Sequence, residues 1–413
     1  FVFEENNNDQ LKIYKKELEN LGIEVFLNMS FKFDLISPLI KDLECVILSP
    51  AIHIQDQTVI KLQEAGIKVT GEINIGWNYL KDINWVGITG TNGKTTVTHL
   101  LSHILCQNNL NAPSAGNIGI PICKYAYEQN NKNNNKDIDW IIAEISSFQI
   151  EIANKIKPKI GIWTTFTPDH LDRHKTLENY FNLKNNLLRE SKIRIYNYDD
   201  KYLKKHAAKL AKGIWVSTEN NNKTKKFCNY WIDKNGYIVE KGEILFKSSI
   251  FKLKGDHNIQ NLLLATAAAR IIGIERENIK ESLKNFKQLP HRFEPVFKSQ
   301  NILVINDSKA TNFDSSIAGI KSLNGKQVLI AGGRIKNGDS DLWSKTILDK
   351  CEGVFLYGES AELLKKILKK NGFKENIFIY KKLKDLISDA LNFLEENESK
   401  VLLFSPSCSS FDQ

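Results

Sequence analysis

No uninterrupted apolar run in these 413 residues is long enough to span a bilayer, which excludes membrane insertion through a helix of that kind. No signal-peptide pattern is seen either, and a cytoplasmic location is expected. The six cysteines, Cys45, Cys106, Cys123, Cys228, Cys351 and Cys408, form no C-x-x-C pair, so reduced and mostly buried thiols are expected. The chain also lacks an initiating Met: Phe1-Val2-Phe3-Glu4-Glu5 reads as a strand already in progress, with a segment expected upstream. Finally, there is no basic stripe interleaved with aromatics. The net charge of +9 is spread over lysine-biased, Asn-rich surface such as Asn130–Lys136 and Asn220–Lys223. Such a charge could serve nucleic acid or anionic small substrates, but the pattern reads better as a lysine-biased solvated surface.

What is present is ordinary for globular protein: 42% hydrophobic and 25% charged residues over a length that calls for two or three domains. One stretch organises the rest. Trp85-Val86-Gly87-Ile88-Thr89-Gly90-Thr91-Asn92-Gly93-Lys94-Thr95-Thr96, followed by apolar residues at helical spacing, reads as strand, phosphate loop and helix. Glycines at 90 and 93 let successive backbone N–H groups approach phosphate oxygens, and the start of the helix adds its positive end. Lys94 supplies a mobile charge for the outer phosphates; the Thr95 hydroxyl suits a magnesium ion carried with them. The five-residue spacing of the commoner loop is absent, because Ile88 stands where its first glycine would be.

Before this loop, residues 11–21 and 59–65 read as helices, and 23–26, 45–48 and 67–69 as parallel strands of a small α/β domain. After it, residues 140–143 form a strand that delivers Glu144 to the carboxyl edge of the sheet, where a second magnesium ligand belongs. The strand 160–165 leads to Asp169, His170 and Asp172 on the same edge. Lys184 falls on a helix of mixed face and, from residue type alone, reads as a solvated lysine. Asn258 and Asn261 lie one turn apart on a strongly helical segment, suited to capping or to reading a base edge. Pro290 marks a hinge, after which strands at 302–305, 328–331, 353–356, 377–379 and 401–404 alternate with helices as in a doubly wound sheet. Polar loops follow these strands at 307–312, 332–336 and 405–410, a fair place for a ligand.

Taken together, G-T-N-G-K-T-T, E-I-S-S-F-Q, T-P-D-H-L-D-R, G-D-H-N, L-P-H-R-F-E, N-D-S-K-A-T-N and S-P-S-C-S-S-F-D-Q resemble the Mur ligase family over nearly the whole chain. S-S-F-Q, H-R-F-E, D-S-K-A-T-N and the last motif are similar to the family member that adds D-glutamate. The resemblance implies three α/β domains: a Rossmann-like substrate domain at 1–84, a central phosphate-loop domain with a parallel sheet at 85–292, and a doubly wound Rossmann-like amino-acid domain at 293–413. It also implies an ATP-driven amide bond, in which the carboxylate of UDP-N-acetylmuramoyl-L-alanine is phosphorylated and D-glutamate attacks the acyl phosphate. ATP and two magnesium ions are expected; a monomer is expected, with no nucleic-acid partner.

The resemblance also places residues. Gly90, Thr91, Asn92, Gly93, Lys94, Thr95 and Thr96 would hold the ATP phosphates, with Asn258, Asn261, Arg292 and Asp307 around the rest of the nucleotide. Thr95 and Glu144 would bind one magnesium; His170 and a carbamylated Lys184 would bind the second. Asn117, Ser146, Gln149 and His170 would face the alanyl end, with Ser49 nearer the uridine diphosphate. Lys309, Thr311, Lys336 and Ser410 would meet D-glutamate or the migrating phosphate. The family's first strand and the segment beyond Gln413 lie outside this sequence, so weak catalysis by this fragment is an expectation.

Overall fold

The computed structural model describes residues 1–131, 137–153, 156–253, 255–299, 302–336 and 338–410. Its centre is a nine-stranded sheet. From one edge the strands run Glu243–Lys247, Tyr237–Glu240, Tyr230–Ile232, Ile214–Ser217, Ile193–Asn197, Ile160–Trp163, Asn84–Thr89, Trp140–Glu144 and Ser114–Gly116. Seven pair in parallel; only the edge strands Tyr237–Glu240 and Glu243–Lys247 pair antiparallel. Val86 and Ile88 from one face and Trp85 from the other are each almost wholly buried, the mark of a parallel strand covered on both sides. Helix Lys94–Gln107 places Val97, Leu100, Leu101, Ile104 and Leu105 against the sheet, and helix Asp256–Ile272 packs beside it.

The expected strand through Thr165 stops at Trp163. The reason is local: the hydroxyls of Thr164 and Thr165 donate to the Asn92 carbonyl at 2.5 and 3.1 Å, so these residues bind the phosphate loop.

The N-terminal part has two separate parallel pairs, Val2–Glu4 with Val25–Leu27 and Cys45–Leu48 with Lys68–Gly71. A helix unforeseen from the sequence, Glu72–Leu80, follows and packs on helix Ile122–Asn130. Gly76 permits this approach, since a Cβ there would meet Ile122 Cγ2 at 2.5 Å.

The C-terminal six-stranded sheet has the order Glu294–Lys298, Leu303–Asn306, Val401–Ser407, Gln327–Gly332, Cys351–Tyr357 and Asn376–Tyr380, antiparallel only at the first pair. Helices cover both its faces, with Phe313–Lys321, Ser340–Lys350 and Ala361–Lys370 on one and Leu383–Glu396 on the other. The cysteines are all free, but only Cys228, Cys351 and Cys408 are buried; Cys106 is exposed, so "mostly buried" overstated the case. Among the described residues no helix is long and apolar enough to cross a membrane. Residues 132–136 of the Asn-rich run and 411–413 of the last motif lie outside the described residues.

Candidate active site

Where the carboxyl edge of the central sheet faces the six-stranded sheet and the loop at Pro50, a cavity of about 1080 Å³ opens. The phosphate loop forms its floor. Gly90 adopts φ of +151° against Thr164, where a Cβ would meet the hydroxyl oxygen at 2.0 Å. Gly93, at φ +84°, lies so close to Asn261 that a Cβ would meet Oδ1 at 2.5 Å. The loop therefore has its glycines where the neighbouring strand and the Asn-bearing helix press on it. Thr91, Asn92, Thr96, Asn258 and Asn261 all line the cavity.

Thr95 and Glu144 converge as hard oxygen donors. The Thr95 hydroxyl donates to Glu144 Oε2 at 2.6 Å and accepts from Arg292 Nη2 at 2.6 Å. The other carboxylate oxygen, Oε1, accepts from Asn117 Nδ2 at 2.9 Å. This oxygen set suits a magnesium ion that keeps most of its shell from water and phosphate. Arg292 comes from the hinge, between His291 at φ +63° and Phe293 at φ +52°. Two non-glycine residues in the left-handed region strain the backbone by roughly 1–3 kcal/mol each. Gln288 Nε2, donating to the Arg292 and Phe293 carbonyls, and Asp307, accepting from Phe293 N at 3.0 Å, hold it there.

Lys94 donates to the carbonyls of Gly90 and Thr91 at 3.0 and 2.9 Å, and burial pulls its pKa down despite Glu144 and Asp169. Lys184 is 1% exposed and donates to the same Gly90 carbonyl at 2.9 Å. Burial, reinforced by Lys94, holds its pKa well below the usual lysine range. The reading of a solvated lysine is thus overturned: its helix, Leu177–Glu190, turns this side chain into the cavity, under the Tyr180 ring. His170, at φ +55°, lies on the cavity wall with Nε2 3.5 Å from Asp169, and burial lowers its pKa.

From the C-terminal sheet, Asp307, Lys309 and Thr311 enter on the loop after strand Leu303–Asn306, and Lys336 on the loop after Gln327–Gly332. The Asp307 carboxyl accepts from Ser405 Oγ at 3.0 Å, and its burial raises the pKa to about 7. Lys336 Nζ lies 3.6 Å from Asp169 Oδ1, across the two sheets.

Three expected site residues are not brought into the cavity. Ser146 lines it, but Gln149 does not: its Oε1 accepts from Ser146 N and Oγ in a capping box that starts helix Ser147–Ile152. Ser49 is exposed outside the wall, its hydroxyl accepting from Ala51 N at 3.3 Å, and Pro50 lines the cavity instead. Ser410 is exposed and does not line the cavity, next to Ser409, which pairs with Arg334 through two backbone hydrogen bonds.

Other residues line the site without having been foreseen as part of it. Asp200 accepts from the backbone N–H groups of Phe166, Tyr202 and Leu203; its position before helix Lys201–Lys205 was a readable cap signal. Asn92 Oδ1 accepts from Asn312 Nδ2 at 3.1 Å and Ser315 Oγ at 2.7 Å, tying the phosphate loop to the C-terminal sheet. No local pattern marks that pairing.

A phosphate loop, oxygen donors beside it, and cations facing it from a second parallel sheet define a nucleotide-dependent ligase architecture. The chain matches the Mur ligase middle domain over residues 88–269 and the Mur ligase glutamate ligase domain over residues 291–408. It belongs to the Mur ligase family. It is 54% identical over 412 residues to the UDP-N-acetylmuramoylalanine--D-glutamate ligase of Prochlorococcus marinus (strain MIT 9312), covering 100% of this chain and 87% of that protein. The identically named protein of Synechocystis sp. (strain ATCC 27184 / PCC 6803 / Kazusa) is 41% identical over 421 residues, covering 100% of this chain and 90% of that one. The crystal structure of UDP-N-acetylmuramate-alanine ligase from Thermotoga maritima shares the fold, with TM-score 0.62 at 19% identity over 99% of this chain and 90% of that one.

Proposed function

We propose that this protein joins D-glutamate to UDP-N-acetylmuramoyl-L-alanine with ATP, through an acyl phosphate, in peptidoglycan precursor synthesis. The observation that carries the reading is the convergence of Thr95, Glu144 and Arg292 beside Lys94, with Lys309 and Lys336 facing them from the other sheet. The shared name of the close relatives supports the choice of substrates.

Carboxylate and amine do not condense at neutral pH, so a phosphoryl group must first make the carboxylate an electrophile. When bound, ATP supplies that group and magnesium neutralises its charge. The chain's part is positioning and electrostatics rather than covalent catalysis. Lys94 and the loop amides hold the outer phosphates; Thr95 and Glu144 hold one magnesium. Arg292 approaches the phosphates from the hinge, Asp307 faces the ribose, and Asn258 and Asn261 face the nucleotide. Asn117 and Ser146 meet the alanyl end. His170 and a carbamylated Lys184 would form a second magnesium site, since burial favours the neutral form of the amine, the form that reacts with CO₂. Lys309, Thr311 and Lys336 receive the two carboxylates of D-glutamate, for which two cations are apt. The amine attacks the acyl carbon and phosphate leaves. Residues 84 and 292 are proposed as the limits of the three domains, the chain acting as a cytoplasmic monomer.

The test is phosphate release from ATP and magnesium. Release that needs both UDP-N-acetylmuramoyl-L-alanine and D-glutamate, with L-glutamate inert, is expected. Release indifferent to both and stimulated by nucleic acid overturns the reading.

A further inference from the structure

Arg173 lies one turn beyond His170, on the short helix Leu171–His174, and does not line the cavity. Its side chain is 8% exposed and fully engaged. Nε and Nη2 donate to Glu151 Oε2 at 2.9 and 2.5 Å, Nη2 also to the Ile52 carbonyl at 3.0 Å, and Nη1 to the Ala51 carbonyl at 3.0 Å. One guanidinium thus joins three pieces of chain: the turn that starts at His170, the helix Ser147–Ile152 that carries Glu151, and the loop after strand Cys45–Leu48.

That loop reaches the site itself, since Pro50 lines the cavity immediately before the two carbonyls that Arg173 holds. His53 closes the loop from its far end, with Nε2 3.7 Å from Glu151 Oε1 and 3.4 Å from the Arg173 carbonyl oxygen. The turn is equally constrained. It runs between two left-handed residues, His170 at φ +55° and Lys175 at φ +65°, and the Arg173 N–H donates to the His170 carbonyl at 3.1 Å. Behind it, His174 Nε2 lies 2.9 Å from Ser147 Oγ. Phe148 fills the space between: the guanidinium lies 4.3 Å from its ring centroid, and the His170 ring meets it edge to face at 4.8 Å. Only a planar fork can serve a carboxylate, two carbonyls and a ring face together, and a lysine ammonium cannot.

We propose that Arg173 is a positioning residue, which makes the placement of His170 depend on the docking of the Pro50 loop. The substrate held by the N-terminal part and the imidazole that meets its alanyl end are thereby set in one step. The inference rests on the function proposed above, in the roles it gives His170 and the N-terminal part. Among the described residues Arg173 makes no hydrogen bond to the phosphate loop or to the six-stranded sheet, so its loss falls on one substrate and spares the other two.

The test uses Arg173→Lys and Glu151→Gln in the full protein, with steady-state kinetics in each substrate and hydrogen–deuterium exchange. Arg173→Lys keeps the charge beside Glu151 and loses the fork; Glu151→Gln keeps an oxygen for the fork and loses the charge. For Arg173→Lys, KM for UDP-N-acetylmuramoyl-L-alanine is expected to rise about tenfold, with KM for ATP and for D-glutamate within about twofold of the parent. Glu151→Gln should fall between the two. Exchange should quicken together in peptides covering 49–55 and 168–174. A uniform rise in all three KM values, a fall in kcat alone, or faster exchange in only one of the two segments overturns the proposal. Should the parent protein turn over ATP without regard to the UDP-linked substrate, the function proposed above fails instead, and the exchange result still decides whether loop and turn are coupled.

Discussion

Lys94 and Lys184, from helices on different sides of the central strand, donate to one acceptor, the Gly90 carbonyl, at 3.0 and 2.9 Å. Burial, reinforced by Lys94, holds the Lys184 pKa well below the usual lysine range and favours its neutral form. Its neutral amine can form an N–C bond to CO₂ and release a proton to solvent, leaving an anionic carbamate. With ¹³C-bicarbonate, a carbamate carbonyl resonance is expected in the parent protein and absent in Lys184→Arg. Because the pKa is lowered, the signal should persist to lower pH than for exposed lysines and fade as the amine protonates. Lys184→Arg should also lose about 100-fold in turnover, the scale for removing one preorganised electrostatic group.

The Thr95 hydroxyl, proposed as a magnesium ligand, is held between Glu144 and Arg292. Thr95→Val is expected to lower kcat by about 100-fold or more, while Thr95→Ser, which keeps the oxygen, retains most activity. Raising magnesium should restore part of the Val variant's rate. Equal losses in both variants would mean that removal of the oxygen is not what lowers the rate.

Asp307 makes stability depend on pH. Its folded pKa, about 7, lies above its ordinary value of 3.8 because of burial. Between these values the unfolded chain releases a proton that the folded chain retains, so this group's contribution to stability falls as pH rises from about 4 to 7 and stays low above that. Asp307→Asn removes the dependence. The variant's urea midpoint relative to the parent is expected to rise between pH 5 and pH 8; a constant difference would disprove it.

Asn92 accepts from Asn312 and Ser315, so closing the two sheets together and shaping the phosphate loop are one event. Ser315→Ala should raise KM for ATP by roughly 2- to 10-fold, the size of one hydrogen bond. Combined with Asn92→Ala, the loss should be less than the sum of the two, because both changes break the same contact. Additive losses in the cycle would separate the loop from closure.

Short-range patterns made much of this legible. The strand before Gly90, the helix after Gly93 and the alternation beyond Pro290 follow from periodicity and punctuation, and the structure has them within a few residues. Glu144 was readable because a parallel strand must deliver its next polar residue to the sheet edge. Lys184 was not: nothing in Tyr180–Lys184 says which face of the helix is covered, and only the family likeness pointed inward. Gln149 stays off the cavity lining because its side chain completes a local cap that a capping-box reading of Ser146 would have found. Helix Glu72–Leu80 was missed because its Ile, Asn, Gly and Trp residues have weak helix propensity and it is held by packing on Ile122–Asn130, and the Asn92–Ser315 contact spans two sheets with no signal in either.

The main cavity takes walls from the Pro50 loop, the nine-stranded sheet and the six-stranded sheet. A site divided in this way acts as a coincidence detector. The groups proposed to meet the alanyl end, Asn117 and Ser146, sit on the nine-stranded sheet and those proposed to meet the amine, Lys309, Thr311 and Lys336, on the six-stranded sheet, so neither of these two ligands alone touches both. Protection against idle hydrolysis of ATP is thus distributed over the architecture instead of being assigned to any one side chain.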